Sequence, residues 1–103
     1  MSFATARARL ADAKYRHLGA PALWNGAAVR VRVVEDTKPT GQGFDKALID
    51  ATFIEVAVSA MTPHCGDQVI LQDDGGNTLR TYSVIAEPKL INNGLDWSCE
   101  ADV

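Results

Sequence analysis

His64 and Cys65 stand side by side, and a thiol near an imidazole is the pairing from which cysteine nucleophiles are made. That chemistry needs the base within reach of the sulfur and a third group to orient it. Neighbours along an extended chain point to opposite sides, so adjacency works against the pairing. Zinc would need four donors, and Cys65, Cys99, His17 and His64 fall at no metal-type spacing. The simpler reading is a pair of turn residues ahead of a strand, with Cys99 a buried thiol on the apolar face of the last strand. A Cys65–Cys99 disulfide would form only under oxidising conditions.

Asp73 and Asp74, beside Gly75-Gly76 and Asn77, carry calcium-type donors but lack the EF-hand spacing and its closing glutamate; a hairpin turn explains each of them. Gly41-Gln42-Gly43 has no strand before it, no helix after it and no P-loop lysine, so it is not read as a phosphate cradle. No catalytic, cofactor or metal residue is assigned, and the chain is not read as an enzyme. Arg30 and Arg32 form a basic row on one strand face, either solvated or facing an acidic partner.

The elements carrying these residues are mostly strands. Val29, Val31 and Val33 alternate with Arg30 and Arg32 after Asn25-Gly26, a pair suited to a two-residue hairpin turn. Thr52, Ile54, Val56 and Val58 alternate with Phe53, Glu55, Ala57 and Ser59. "QVILQ", "DDGGN" and "TLRTYSVIA" read as strand, turn and returning strand, and "EPKLINNG" as a connection. In "LDWSCEA", Leu95, Trp97, Cys99 and Ala101 face inward while Asp96, Ser98 and Glu100 face outward. Ahead of all these, Phe3, Ala6, Leu10, Ala13 and Leu18 mark a short amphipathic helix over 1–19, capped by Ser2 and stopped by Gly19. Asp36 to Asp50, "DTKPTGQGFDKALID", has neither period and reads as a long mobile loop with no strand in it. The expected fold is mainly β: one domain over 1–103, a small antiparallel barrel or sandwich of five or six strands, with the N-terminal helix and the loop.

Composition sets the class. The chain has 103 residues, 47% hydrophobic and 22% charged, with formal net charge −3. That suits one soluble globular domain and gives no footprint for phosphate-driven nucleic-acid binding. No apolar run reaches the length of a membrane span and no secretory leader is read, so synthesis in a cytoplasm with two reduced thiols is expected.

Taken in order, a short helix, a strand, a long polar loop, and strands around "GDQVIL", "TYSVIAEP" and "GLDWSCEA" resemble the lambda-type head–tail attachment family of tailed phages. The matching elements are the Gly66-Asp67 turn, Tyr82-Ser83-Val84 and the last strand, Leu95 to Ala101. The resemblance implies a structural virion protein, made in the host cytoplasm and placed at the head–tail neck. Its partners would be other copies in a ring, the portal or head-completion protein, and the tail terminator or another tail protein. It implies no cofactor, no membrane and no sequence-specific nucleic acid. The corresponding assembly candidates are Lys38, Gln42, Phe44, Asp45 and Lys46 in the loop, with Arg30 and Arg32 on the strand. A tail terminator or other neck ring would suit the same fold. So would a ligand-binding or enzymatic barrel using the face near His64, Cys65 and Tyr82.

Overall fold

A computed structural model describes residues 19–40 and 47–103, with backbone alone at 38–40 and 47–49. The expected N-terminal helix lies outside these residues, and no helix occurs among them. Seven strands follow one another: β1 (Ala20–Trp24), β2 (Ala27–Thr40), β3 (Ala47–Ala57), β4 (Gln68–Gln72), β5 (Thr78–Val84), β6 (Lys89–Ile91) and β7 (Asp96–Asp102). Six close a barrel in the order β3-β2-β1-β4-β5-β7, because β7 also pairs with β3. Every pairing is antiparallel. β6 is the extra strand, laid on β7 through Leu90–Trp97 and its neighbours. Closure removes the sheet edges that a half-open meander would expose.

The alternating sequence produces the core directly. Ile54 pairs with Val33 on one side and Cys99 on the other, and Val69 pairs with both Trp24 and Tyr82. Paired residues share a sheet face, so these rows point into the barrel, where Trp24, Val31, Ile54, Val56, Val69, Val84 and Cys99 are buried. Each full burial of a side chain of this size contributes about 1.5–3 kcal/mol before chain entropy is counted. Arg30 and Arg32 fall on the outer face, as their alternation requires.

Two elements and the burial of one residue differ from the sequence reading. The Asp36–Asp50 segment is not free of strand: β2 runs on to Thr40 and β3 begins at Ala47, paired from Asp36–Ala51 out to Thr40–Ala47. Pairing in a ribbon can rest on backbone hydrogen bonds alone, so it leaves no apolar period to read. The connection "EPKLINNG" contains β6, too short to show alternation. Asp96 does lie on the outer register of β7, yet it is only 1% exposed. It pairs with Ala57 on one side and Ile91 on the other, and its Oδ2 accepts a 2.6 Å hydrogen bond from the Asn92 amide.

Register gives the barrel two distinct ends. The Asn25-Gly26 turn, the start of β4, the end of β3 and the start of β7 gather at one end. The 73–77 turn, the end of β7 and the outgoing β2–β3 ribbon gather at the other.

Candidate functional site

At the first end the turns are tied by one carboxylate. Asn25 and Gly26 both have positive φ, 50° and 88°, as the tight β1–β2 hairpin requires. Gly66 (φ 94°) bends the chain so that Asp67 faces that turn. Asp67 Oδ2 accepts hydrogen bonds from the Trp24 indole Nε1 at 2.8 Å and the His64 backbone N at 2.7 Å. Its Oδ1 accepts from Asn25 Nδ2 at 3.0 Å, while Asn25 Oδ1 accepts from the Gln68 backbone N at 2.9 Å. Burial acts to raise the Asp67 pKa, but donation from Trp24, Asn25 and His64 outweighs it, and the carboxyl lies below its ordinary value. The Gly66-Asp67 turn singled out in the sequence is therefore a structural latch.

His64 and Cys65 do not assemble into a reactive pair with Tyr82. Both are exposed in the turn, whereas Tyr82 is 4% exposed inside the barrel. The Cys65 thiol lies 3.8 Å from the Val84 carbonyl, to which it donates. Cys99 is buried and free, and burial, with the Asp67 charge adding to it, pushes its thiol up to about 12. A thiol held that high stays protonated and is a poor nucleophile. Asp73 spends its carboxylate on its own turn, accepting from the backbone N–H of Gly75 and of Asn77 and from the Asn77 amide. The Asn77 donors, then Gly75, hold its pKa below the ordinary value. Among the described residues no cluster of three or more His, Cys, Asp or Glu could hold a metal ion, and no helix is long and apolar enough to cross a membrane.

The second end carries the feature the sequence hid. β1 pairs with β2 only as far as Ala20–Val31, and β7 pairs with β3 only as far as Ala101–Thr52. Beyond those points β2 and β3 pair with each other and, among the described residues, with no further strand. The result is a two-stranded arm leaving the barrel mouth. An open cleft of about 470 Å³ lies at its root, lined by Glu35, Asp36, Thr37, Asp50, Ala51 and Thr52. A second cleft adds Ile85, Glu100 and Asp102 around Asp50 to Thr52.

The assembly candidates separate accordingly. Lys38 lies in the arm, its backbone paired with Ile49. Gln42, Phe44, Asp45 and Lys46 lie outside the described residues. Arg30 has a structural task, since its Nη2 donates to the Gly19 carbonyl at 2.8 Å and pins the entry to β1. Arg32 is 53% exposed at its side chain and stands 4.0 Å from Glu55, a pairing too solvated to bind it firmly.

An apolar surface missed in the sequence lies at the latch end. Val56, Trp97 and Leu90 form one row across β3, β7 and β6, and Val58 donates its backbone N–H to Leu95 beside it. Leu90 is 56% exposed and Val58 38%. Only the pairing of β6 with β7 brings Leu90 to this row, and β6 was not legible. No family model matches the chain, and no curated protein matches it.

Proposed function

We propose that this chain is a structural virion protein of a tailed phage or prophage, a ring subunit that joins the DNA-filled head to the tail. The observation that carries the reading is the β2–β3 arm. A two-stranded ribbon standing alone is marginal in water, because it has neither a third strand nor a packed face. Its outer edges, unpaired among the described residues, offer backbone donors and acceptors to another chain. A neighbouring subunit in a ring supplies that cover at every position, because a head-to-tail interface repeats until the ring closes.

The two ends of the barrel also suit a joint. The arm and its acidic root leave one end, and the surface of Leu90, Trp97, Leu95 and Val58 lies at the other. In this reading the arm meets neighbouring copies and the portal or head-completion protein, and the apolar end meets the tail terminator or another tail protein. The assembly residues are Lys38, Gln42, Phe44, Asp45 and Lys46, with Arg32 further back on β2; Arg30 keeps its structural bond. The protein is made in the host cytoplasm and ends in the neck of the virion. A tail terminator or other neck ring would use the same arm. A ligand-binding or enzymatic barrel has less support, since Tyr82 faces the core and does not converge with His64 and Cys65.

The test is genetic and structural together. Disrupting the gene in its prophage should leave filled heads and finished tails as separate particles, and supplying the chain in trans should join them. Heads that fail to fill, or joined particles in its absence, would refute the proposal. Joined heads carrying tails of irregular length would instead favour the tail terminator.

A further inference from the structure

The chain contains two Asn-Gly pairs, Asn25-Gly26 and Asn93-Gly94. In such a pair the glycine nitrogen, unshielded by a Cβ, can attack the preceding asparagine's Cγ. A bond forms between that nitrogen and Cγ, the Cγ–Nδ2 bond breaks, and ammonia leaves with the proton the glycine nitrogen gives up. Water then opens the resulting succinimide at one carbonyl or the other, giving aspartate or isoaspartate. Water is the sole co-reactant, and no oxidant or reductant is involved.

The structure treats the two sites differently. Asn25 has both halves of its amide engaged, Nδ2 donating to Asp67 and Oδ1 accepting from Gln68 N, and its own backbone N donates to Gln68 O at 2.8 Å. Turning its Cγ toward Gly26 means breaking the latch. Asn93 is exposed, and its side chain makes no hydrogen bond among the described residues. It sits in a run of positive φ, Asn92 at 53°, Asn93 at 59° and Gly94 at 80°, which it must leave before the ring can close. Little holds it there. Gly94 N donates to Ile91 O at 3.1 Å, Leu95 N to Asn92 O at 3.3 Å, and the strand before the turn has three residues. Such an edge turn opens locally far more readily than the barrel does.

We propose that Asn93 is a site of spontaneous deamidation in the folded protein and that Asn25 is spared. The reaction places a carboxylate next to Asn92, whose amide holds the buried Asp96. In its isoaspartyl form it also adds a backbone carbon to the β6–β7 turn. The change falls at the end of the barrel that exposes Leu90, so an aged chain presents an altered surface there.

The experiment ages the full chain in mildly alkaline buffer, folded and in denaturant, and follows both sites by peptide mapping. In denaturant the two pairs should react at comparable rates. In the folded chain Asn93 should react faster by roughly tenfold or more, the factor expected for the two side-chain hydrogen bonds that Asn25 alone must break. Asn93→Gln should remove the modification from that turn and leave Asn25 unreacted. Equal rates in the folded chain, faster reaction at Asn25, or protection of both sites would each overturn the proposal.

Discussion

Replacing Asp67 by alanine tests the latch most sharply, because one carboxylate serves three donors, two from the β1–β2 hairpin and one from the turn before β4. Trp24 is 2% exposed, so its indole N–H, now 2.8 Å from Asp67, would lose its acceptor in the interior. A buried donor left unmet costs about 1–3 kcal/mol. The Asn25 amide and His64 N–H are exposed and find water, so their loss adds roughly 1 kcal/mol together. The sum, about 2–4 kcal/mol, is a large share of the 5–15 kcal/mol typical of a domain. It corresponds to a melting temperature lower by roughly 10–25 °C. Urea titration followed by tryptophan fluorescence measures it, and a cycle with Trp24→Phe isolates the indole bond. In that cycle the second substitution should cost about 1–2 kcal/mol less once the first is present. The pH dependence has a definite sign. A carboxyl held below its ordinary value of 3.8 stabilises the fold above that pH and loses its contribution as pH falls through the lowered value. Wild-type stability should therefore decline below about pH 4, and Asp67→Ala should show a shallower acid slope. Stability of Asp67→Ala within about 0.5 kcal/mol of wild type, or strict additivity in the cycle, would refute the latch.

In the native protein one thiol, Cys65, should react promptly with a disulfide reagent, and Cys99 should appear only on denaturation; two prompt thiols would contradict the burial of Cys99. Trp97→Asp should unfold or aggregate the domain, because it sets a charge against Val56 in the core rows. Asp96→Ala should cost about 0.5–1.5 kcal/mol by removing the acceptor of Asn92, whose exposed amide then finds water; a thermal melt unchanged from wild type would show that the β6–β7 turn holds without it.

Strands that bury one face announced themselves. Val29-Arg30-Val31-Arg32-Val33 and Trp97 to Ala101 alternate because one side of each is core, and the observed rows follow that alternation. The arm did not, because residues 36–40 and 47–50 lie past the last barrel pairings. Pro39 also reads as a breaker, though an edge strand tolerates a missing donor. β6 and the burial of Asp96 share a cause, since both arise where a short turn pairs one strand alongside another. Of the candidate site, the Gly66-Asp67 turn was singled out through the family resemblance, and its glycine takes the positive φ, 94°, that such a turn uses. Its three donors were not, since Trp24 and Asn25 lie some forty residues away, at separations of 43 and 42. The apolar surface of Leu90 and Val58 depends on pairings that no local pattern encodes.

The central claim is that the β2–β3 arm exists to join subunits rather than to hold the barrel. Replacing Lys38 to Lys46 with a short Gly-Ser linker removes the outer arm while leaving the barrel pairings of β1, β2, β3 and β7 intact. Thermal stability should change by less than about 1 kcal/mol, since the described buried rows are built from other residues. Supplied in trans to a strain lacking the gene, this variant should leave heads and tails unjoined and restore no infectious particles. Normal titre from a variant that folds as well as wild type would contradict the account and move the joining surface to the barrel strands.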